Sequence, residues 1–133
     1  MSPVVLVVAI GVAGSLGALL RWAADVAISH RLTHAERTSL NLFPWALLLV
    51  NVVGSFVCGF ATGFWGHSDW GLIIATGLAG GLTTMSTLAV TTLNHLQSKA
   101  HRGLAVYSPV LHLVLGVGFA WLGLVLSALF DGV

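Results

Sequence analysis

Four long apolar runs alternate with short polar stretches along this chain. They predict helical spans over about residues 3–28, 43–65, 70–95 and 104–130. A helix of about 20 apolar residues crosses the hydrocarbon core of a bilayer. The expected fold is an all-α integral membrane protein with four transmembrane helices. The third run departs from the pattern, because Gly80-Gly81-Leu82-Thr83-Thr84-Met85-Ser86-Thr87 interrupts it near its middle. Two adjacent glycines, three threonines and one serine within eight residues predict a break in that helix.

Finer features sit on this frame. Pro3 suits a first helical turn, where a missing N–H is harmless. Gly11, Gly14 and Gly17 form a small-residue stripe on the first span, and Gly59 with Gly63 makes a GxxxG pair on the second. Lipid gives no hydrophobic push between helices, so such stripes favour close van der Waals approach. Arg21 and Asp25 lie four apart and predict an ion pair on one helix face. A polar loop is expected over about residues 29–41, a short turn over residues 66–69, and a second polar loop over about residues 97–103. Pro109 predicts a kink or a late start in the fourth span.

Composition agrees with a membrane setting. The chain has 133 residues, 57% hydrophobic and 7% charged, with a mean hydropathy of +0.99. A soluble domain carries roughly a quarter charged residues. Residues 1–133 are expected to form a single four-span domain, with no room for a soluble catalytic domain. The net charge of +1 says nothing about nucleic acid, but no basic patch exists, and no nucleic-acid partner is expected. Cys58 is the only cysteine, so no internal disulfide is possible. The first run lacks a basic n-region and is longer than a signal-peptide core, so it reads as a mature span.

Charge placement predicts orientation. Arg31, Arg37, Lys99 and Arg102 all fall in the loops after spans one and three, whereas the opposite side has no Lys or Arg and holds only Asp69, Asp131 and the free amine. Short basic loops stay cytoplasmic. Both termini are therefore expected outside the cytoplasm of a multi-pass cell-membrane protein.

The candidate chemistry lies inside the spans. A break in the third helix frees carbonyls from its first half and N–H groups from its second. Free backbone at membrane depth is tolerated only inside protein or beside water or an ion. The carbonyl end suits a small cation, while the hydroxyls and freed N–H groups suit an anion. Asn51, with two donors and an acceptor on its amide, can bind an ion or bridge helices. His112 lacks any partner at metal-ligand spacing and reads as a packing histidine. Tyr107 can anchor at the interface or offer its hydroxyl to a pathway. No mid-span Asp, Glu or Lys is available to carry protons, and no hydrolase or protease motif occurs. Proton-coupled transport and an enzyme are both disfavoured.

Three stretches, Gly14-Ser15-Leu16-Gly17-Ala18-Leu19-Leu20-Arg21, Asn51-Val52-Val53-Gly54-Ser55-Phe56-Val57-Cys58-Gly59 and Gly77-Leu78-Ala79-Gly80-Gly81-Leu82-Thr83-Thr84-Met85-Ser86-Thr87, resemble the Fluc (CrcB) fluoride channels. They occur in the family's order and with fitting spacing. The resemblance implies an antiparallel dimer with two fluoride pathways along the subunit interface. It also implies a structural sodium ion at the dimer centre, on carbonyls matching Gly80 and Thr83. By the same resemblance Asn51, Thr84, Ser86, Thr87 and Tyr107 match pathway residues, and Arg21 an arginine near the pore entrance.

This chain departs from the family pattern where two phenylalanines line the pathways, since those positions are Met85 and Leu88. Thr91 and Leu111 stand where the family often has a glutamate and a serine. Methionine and leucine lack the positive ring edge that can hold fluoride. A specialised half of a heterodimer is thus expected over a homodimer, with a sister chain of opposite insertion bias. The competing expectations are a small multidrug-type exporter, which needs a span-one glutamate that is missing here, and a non-conducting structural subunit.

Overall fold

The computed structural model describes residues 1–32, 43–99 and 101–130, with backbone alone from 29 to 32. The loop charges Glu36 and Arg37, the side chain of Arg31, and Asp131 lie outside the described residues. Helix α1 spans Pro3–Leu32 and α2 spans Trp45–Trp65. The third span begins with α3, Asp69–Leu72, continues through a π-helical stretch, Ile73–Ala79, and closes its first half with α4, Gly80–Leu82. Its second half is α5, Met85–Gln97, and the last helix is α6, Arg102–Ala128. Four helical segments, 3–28, 45–65, 69–97 and 102–128, are long and apolar enough to cross a membrane.

Several boundaries differ from the sequence reading. Helix α1 continues past Ile28 through residues expected in the loop. Ser68, placed in a turn, caps α3 by accepting the Gly71 N–H at 3.3 Å, so Asp69 is already helical. Pro109 lies well inside α6, which starts seven residues earlier, at Arg102. The π-helical stretch had no signal in the spacing of apolar residues.

The helices pack as two parallel pairs. Glycines fix both, because a side chain at each would strike backbone of the neighbouring helix. Helix α1 lies along the first half of the third span: Gly17 abuts Leu78, Gly81 and Leu82, while Gly77 abuts Ile10 and Ala13. Helix α2 lies along α6 in the same manner, with Gly59 against Ala120 and Gly123 against Phe56 and Phe60. Gly11 faces open space and takes no part in this packing. The N-terminal amine pairs with the Asp69 carboxylate, tying the start of α1 to the start of the third span.

Large apolar side chains remain outside these contacts. On α1 they include Val4, Val8, Leu16 and Leu20, and on α6 Val106, Val110, Leu113 and Val117. Such surfaces suit lipid or a second protein chain.

Candidate ion pathway

The helical backbone gives way at two residues between α4 and α5. Thr83 (φ −79°, ψ 156°) and Thr84 (φ −151°, ψ 125°) are extended. Extended backbone suits β-branched side chains. Gly80 stays helical at φ −63°, so the glycines precede the change of direction rather than forming it.

Each backbone group freed at Thr83 and Thr84 has an identifiable role. In a continuous helix the Thr84 N–H would donate to the Gly80 carbonyl. Here it donates to Asn51 Oδ1 at 2.8 Å, and Asn51 Nδ2 donates to the Thr84 carbonyl at 3.3 Å. The Asn51 amide thus pairs with Thr84 as a neighbouring strand would. Gly54, one turn further along α2, lies against the Thr83 side chain and lets α2 come this close. Arg21 Nη1 donates to the Thr83 carbonyl at 3.1 Å. The expected Arg21–Asp25 ion pair is absent among the described residues, because the guanidinium turns to this carbonyl instead.

Beyond the bend, Thr84 caps α5. Its Oγ1 accepts the Thr87 N–H at 3.4 Å and lies 3.1 Å from Ser86 Oγ and 3.2 Å from Thr87 Oγ1. The N–H groups of Met85 and Ser86, in the first turn of α5, have no intrahelical acceptor. They give this end of the helix a partial positive charge. Removing the cap with Thr84→Ala is expected to lower unfolding stability by about 1 kcal/mol, whereas Thr84→Ser keeps it. Thermal unfolding of the detergent-solubilised protein checks this.

Two cavities flank the bend. The larger, about 720 Å³, is a groove lined by Asn51, Ser55, Gly80, Thr83, Thr84, Met85, Leu88 and His112 with apolar residues of α6. The smaller, about 280 Å³, is lined by Arg21, Trp22, Asp25, Thr84 and Thr87 with apolar residues of α1 and α2. Most of the residues singled out by sequence meet here. Ser86 joins through the hydroxyl cluster. Tyr107 does not line either cavity; its ring packs edge-on against Phe43, with centroids 6.4 Å apart. Met85 is 75% exposed and Leu88 only 5%, so the two departures from the family pattern occupy opposite surroundings. His112, read from sequence as packing, is a groove residue as well. Its signal was an imidazole amid apolar positions, and that signal cannot distinguish the two roles.

This arrangement offers an ion both signs of partner: bent-out carbonyls on one side, and hydroxyls with a helix N-terminus on the other. The sequence profile of the family described as CrcB-like protein, Camphor Resistance (CrcB), matches residues 8–124. The chain belongs to the CrcB family. Among its relatives, the fluoride-specific ion channel FluC of Renibacterium salmoninarum is 44% identical over 127 residues, covering 92% of this chain and 99% of that protein. The fluoride-specific ion channel FluC 1 of Leifsonia xyli subsp. xyli is 35% identical over 133 residues, covering 97% and 90%. FluC 2 of Bacillus licheniformis is 34% identical over 129 residues, covering 94% and 89%. As a CrcB protein with four such helices, the chain is a multi-pass membrane protein, and its family is one of channels rather than enzymes.

Proposed function

We propose that this chain is a subunit of a passive, fluoride-selective channel that lets fluoride leave the cell. The observation carrying the proposal is the bend at Thr83–Thr84, held by Asn51 and Arg21, with hydroxyls and a helix N-terminus gathered beside it. Fluoride is small and strongly hydrated, so a pore must replace its water with hydrogen-bond donors. Several modest sites let the ion leave as readily as it enters. The names of the relatives point to the same ion.

The working unit is a dimer of antiparallel chains, each a single four-span domain with a bent third helix. In one chain alone, the groove holding Asn51, Ser55, Thr83 and Thr84 opens outward at membrane depth. Lipid cannot satisfy such groups. A second chain laid over the groove closes it into a pathway, and the apolar faces of α1 and α6 supply contact area. Of the proposed pathway residues, Asn51, Thr84, Met85, Ser86, Thr87 and Leu88 border the bend, Tyr107 lies toward one end, and Arg21 guards the entrance. The basic loops face the cytoplasm and the termini face away from it.

A structural sodium ion at the centre of the dimer fits the freed carbonyls. The Gly80 carbonyl has lost its helical donor to Asn51. The Thr83 carbonyl gives one lone pair to Arg21 and keeps the other. When bound, the ion supplies positive charge that draws together carbonyls from the two chains.

A heterodimer is the preferred pairing, resting on Met85, Leu88 and the one-sided loop charge. Robust fluoride efflux is expected from liposomes only when this chain is co-reconstituted with a sister chain. Equal efflux from this chain by itself contradicts the heterodimer and leaves a homodimeric channel. Restoring one ring is expected to be harmless and the other not. Met85→Phe changes a side chain exposed in the single chain, whereas Leu88→Phe overfills a site already buried within it and costs about 1–3 kcal/mol. Thermal unfolding separates them. If the double variant Met85→Phe plus Leu88→Phe conducts where the wild-type assembly does not, the chain is a non-conducting structural subunit instead.

A further inference from the structure

We infer that His112 is a further ligand of the groove, a donor to the anion whose hydrogen bond is switched on by protonation. The inference rests on the fluoride reading above. His112 is 6% exposed, and its Nδ1 lies 2.8 Å from the Ser108 carbonyl oxygen of the preceding turn. A carbonyl only accepts, so Nδ1 carries the hydrogen. In the neutral ring Nε2 is then an acceptor. Nε2 is buried and has no hydrogen-bond partner, and the same holds for Ser108 Oγ one turn back. Buried polar atoms are paired in the great majority of cases. Nδ1 turns back onto α6, Nε2 is the ring nitrogen left free of that bond, and His112 lines the groove together with Asn51, Thr84, Met85 and Leu88.

The surroundings decide what Nε2 can bind. The first turn of α5 brings a partial positive charge to this groove, which favours an anion. Neither Met85 nor Leu88 brings a ring edge. A neutral His112 turns a lone pair toward the ion and repels it. The protonated ring turns an N–H and a full charge toward it. Fluoride occupancy and proton uptake therefore favour each other by the same factor. The proton stays on the ring while the ion passes, so the site is a switch and not a co-transport step.

Few other charges compete there among the described residues. From the α2 side the ring is faced by Phe43, with centroids 6.5 Å apart, and by the groove residues Asn51 and Ser55. Helix α2 carries no acid, base or histidine, and its one titratable group is the exposed Cys58. Helix α5 faces the ring with Thr84, Met85 and Leu88, and its one titratable group, His95, lies seven residues beyond Leu88. On α6 itself Tyr107 and Arg102 precede His112 by five and ten residues.

The test is fluoride efflux from liposomes holding the assembled channel at about pH 5.5 and about pH 7.5, within the range where imidazole changes charge. Protein-free liposomes correct for leakage of hydrogen fluoride. Protein-dependent efflux is expected to be at least about threefold faster at the lower pH, with little difference for H112Q and H112F. Wild-type efflux equal at both pH values overturns the role of His112, and this comparison needs no variant. A wild-type slope surviving in either substitution overturns it too. No fluoride efflux at either pH, from wild type or variants, overturns the fluoride reading itself and this inference with it.

Discussion

Asn51→Leu is expected to lower fluoride efflux by at least about tenfold, and the loss follows from the backbone of Thr84 rather than from the lost side chain alone. Asn51 satisfies both the N–H and the carbonyl of Thr84. Leucine has nearly the same size and satisfies neither. Each unsatisfied buried group costs about 1–3 kcal/mol, and about 1.4 kcal/mol is already a factor of ten in an equilibrium. The third span must then shift so that its broken ladder finds other partners, which carries the groove away from its present shape. Asn51→Asp separates the two duties of the amide. Its carboxylate can still accept the Thr84 N–H but cannot donate to the Thr84 carbonyl, and it places negative charge in an anion's path. Efflux is expected to fall in both variants. Thermal stability is expected to fall further in Asn51→Leu, as unfolding of the purified protein would show.

The second large effect is expected at Gly81. A side chain there would press into Gly14 of α1, whose backbone carbon and Cα would lie only 2.9 Å from the added Cβ. Backbone cannot step aside as a flexible side chain can. Gly81→Val must therefore push α1 off the third span and take Arg21 away from Thr83. Overpacking of this kind costs about 1–3 kcal/mol and at times more. The variant is expected to lose its monodisperse elution in detergent and nearly all fluoride efflux. Gly103→Ala is the control, because nothing lies within 4 Å of a Cβ at that position. Its elution and efflux are expected to match wild type.

Much of the frame was legible in the sequence because a bilayer imposes long apolar runs on any helix that crosses it. The four runs located the four helices, and the polar cluster Gly80–Thr87 contains the two extended residues. The details turned on contacts that no local pattern records. Arg21 and Asp25 have ideal spacing for an ion pair, yet an unsatisfied Thr83 carbonyl on another helix was the stronger attraction for the guanidinium. Adjacent glycines suggested the point of bending, but the bend falls where Asn51 and Arg21 can take up the freed backbone groups. Asn51 could have bound an ion or bridged helices; its amide bridges α2 to Thr84. The glycine stripe held only in part, since Gly14 and Gly17 meet the third span and Gly11 meets nothing. The π-helical stretch had no sequence signal of its own, and while His112 was read as a packing residue, its place on the groove depends on neighbouring helices.

Fluoride selectivity is read most plainly from the anion permeability of liposomes reconstituted with the assembly this chain forms in its membrane. Vesicles are loaded with potassium fluoride or potassium chloride, potassium is made permeant with an ionophore, and the external anion is followed with a selective electrode. Rapid release of fluoride is expected, with chloride retained as in protein-free vesicles and no need for a proton gradient. Release of chloride as fast as fluoride, or retention of both, would contradict it.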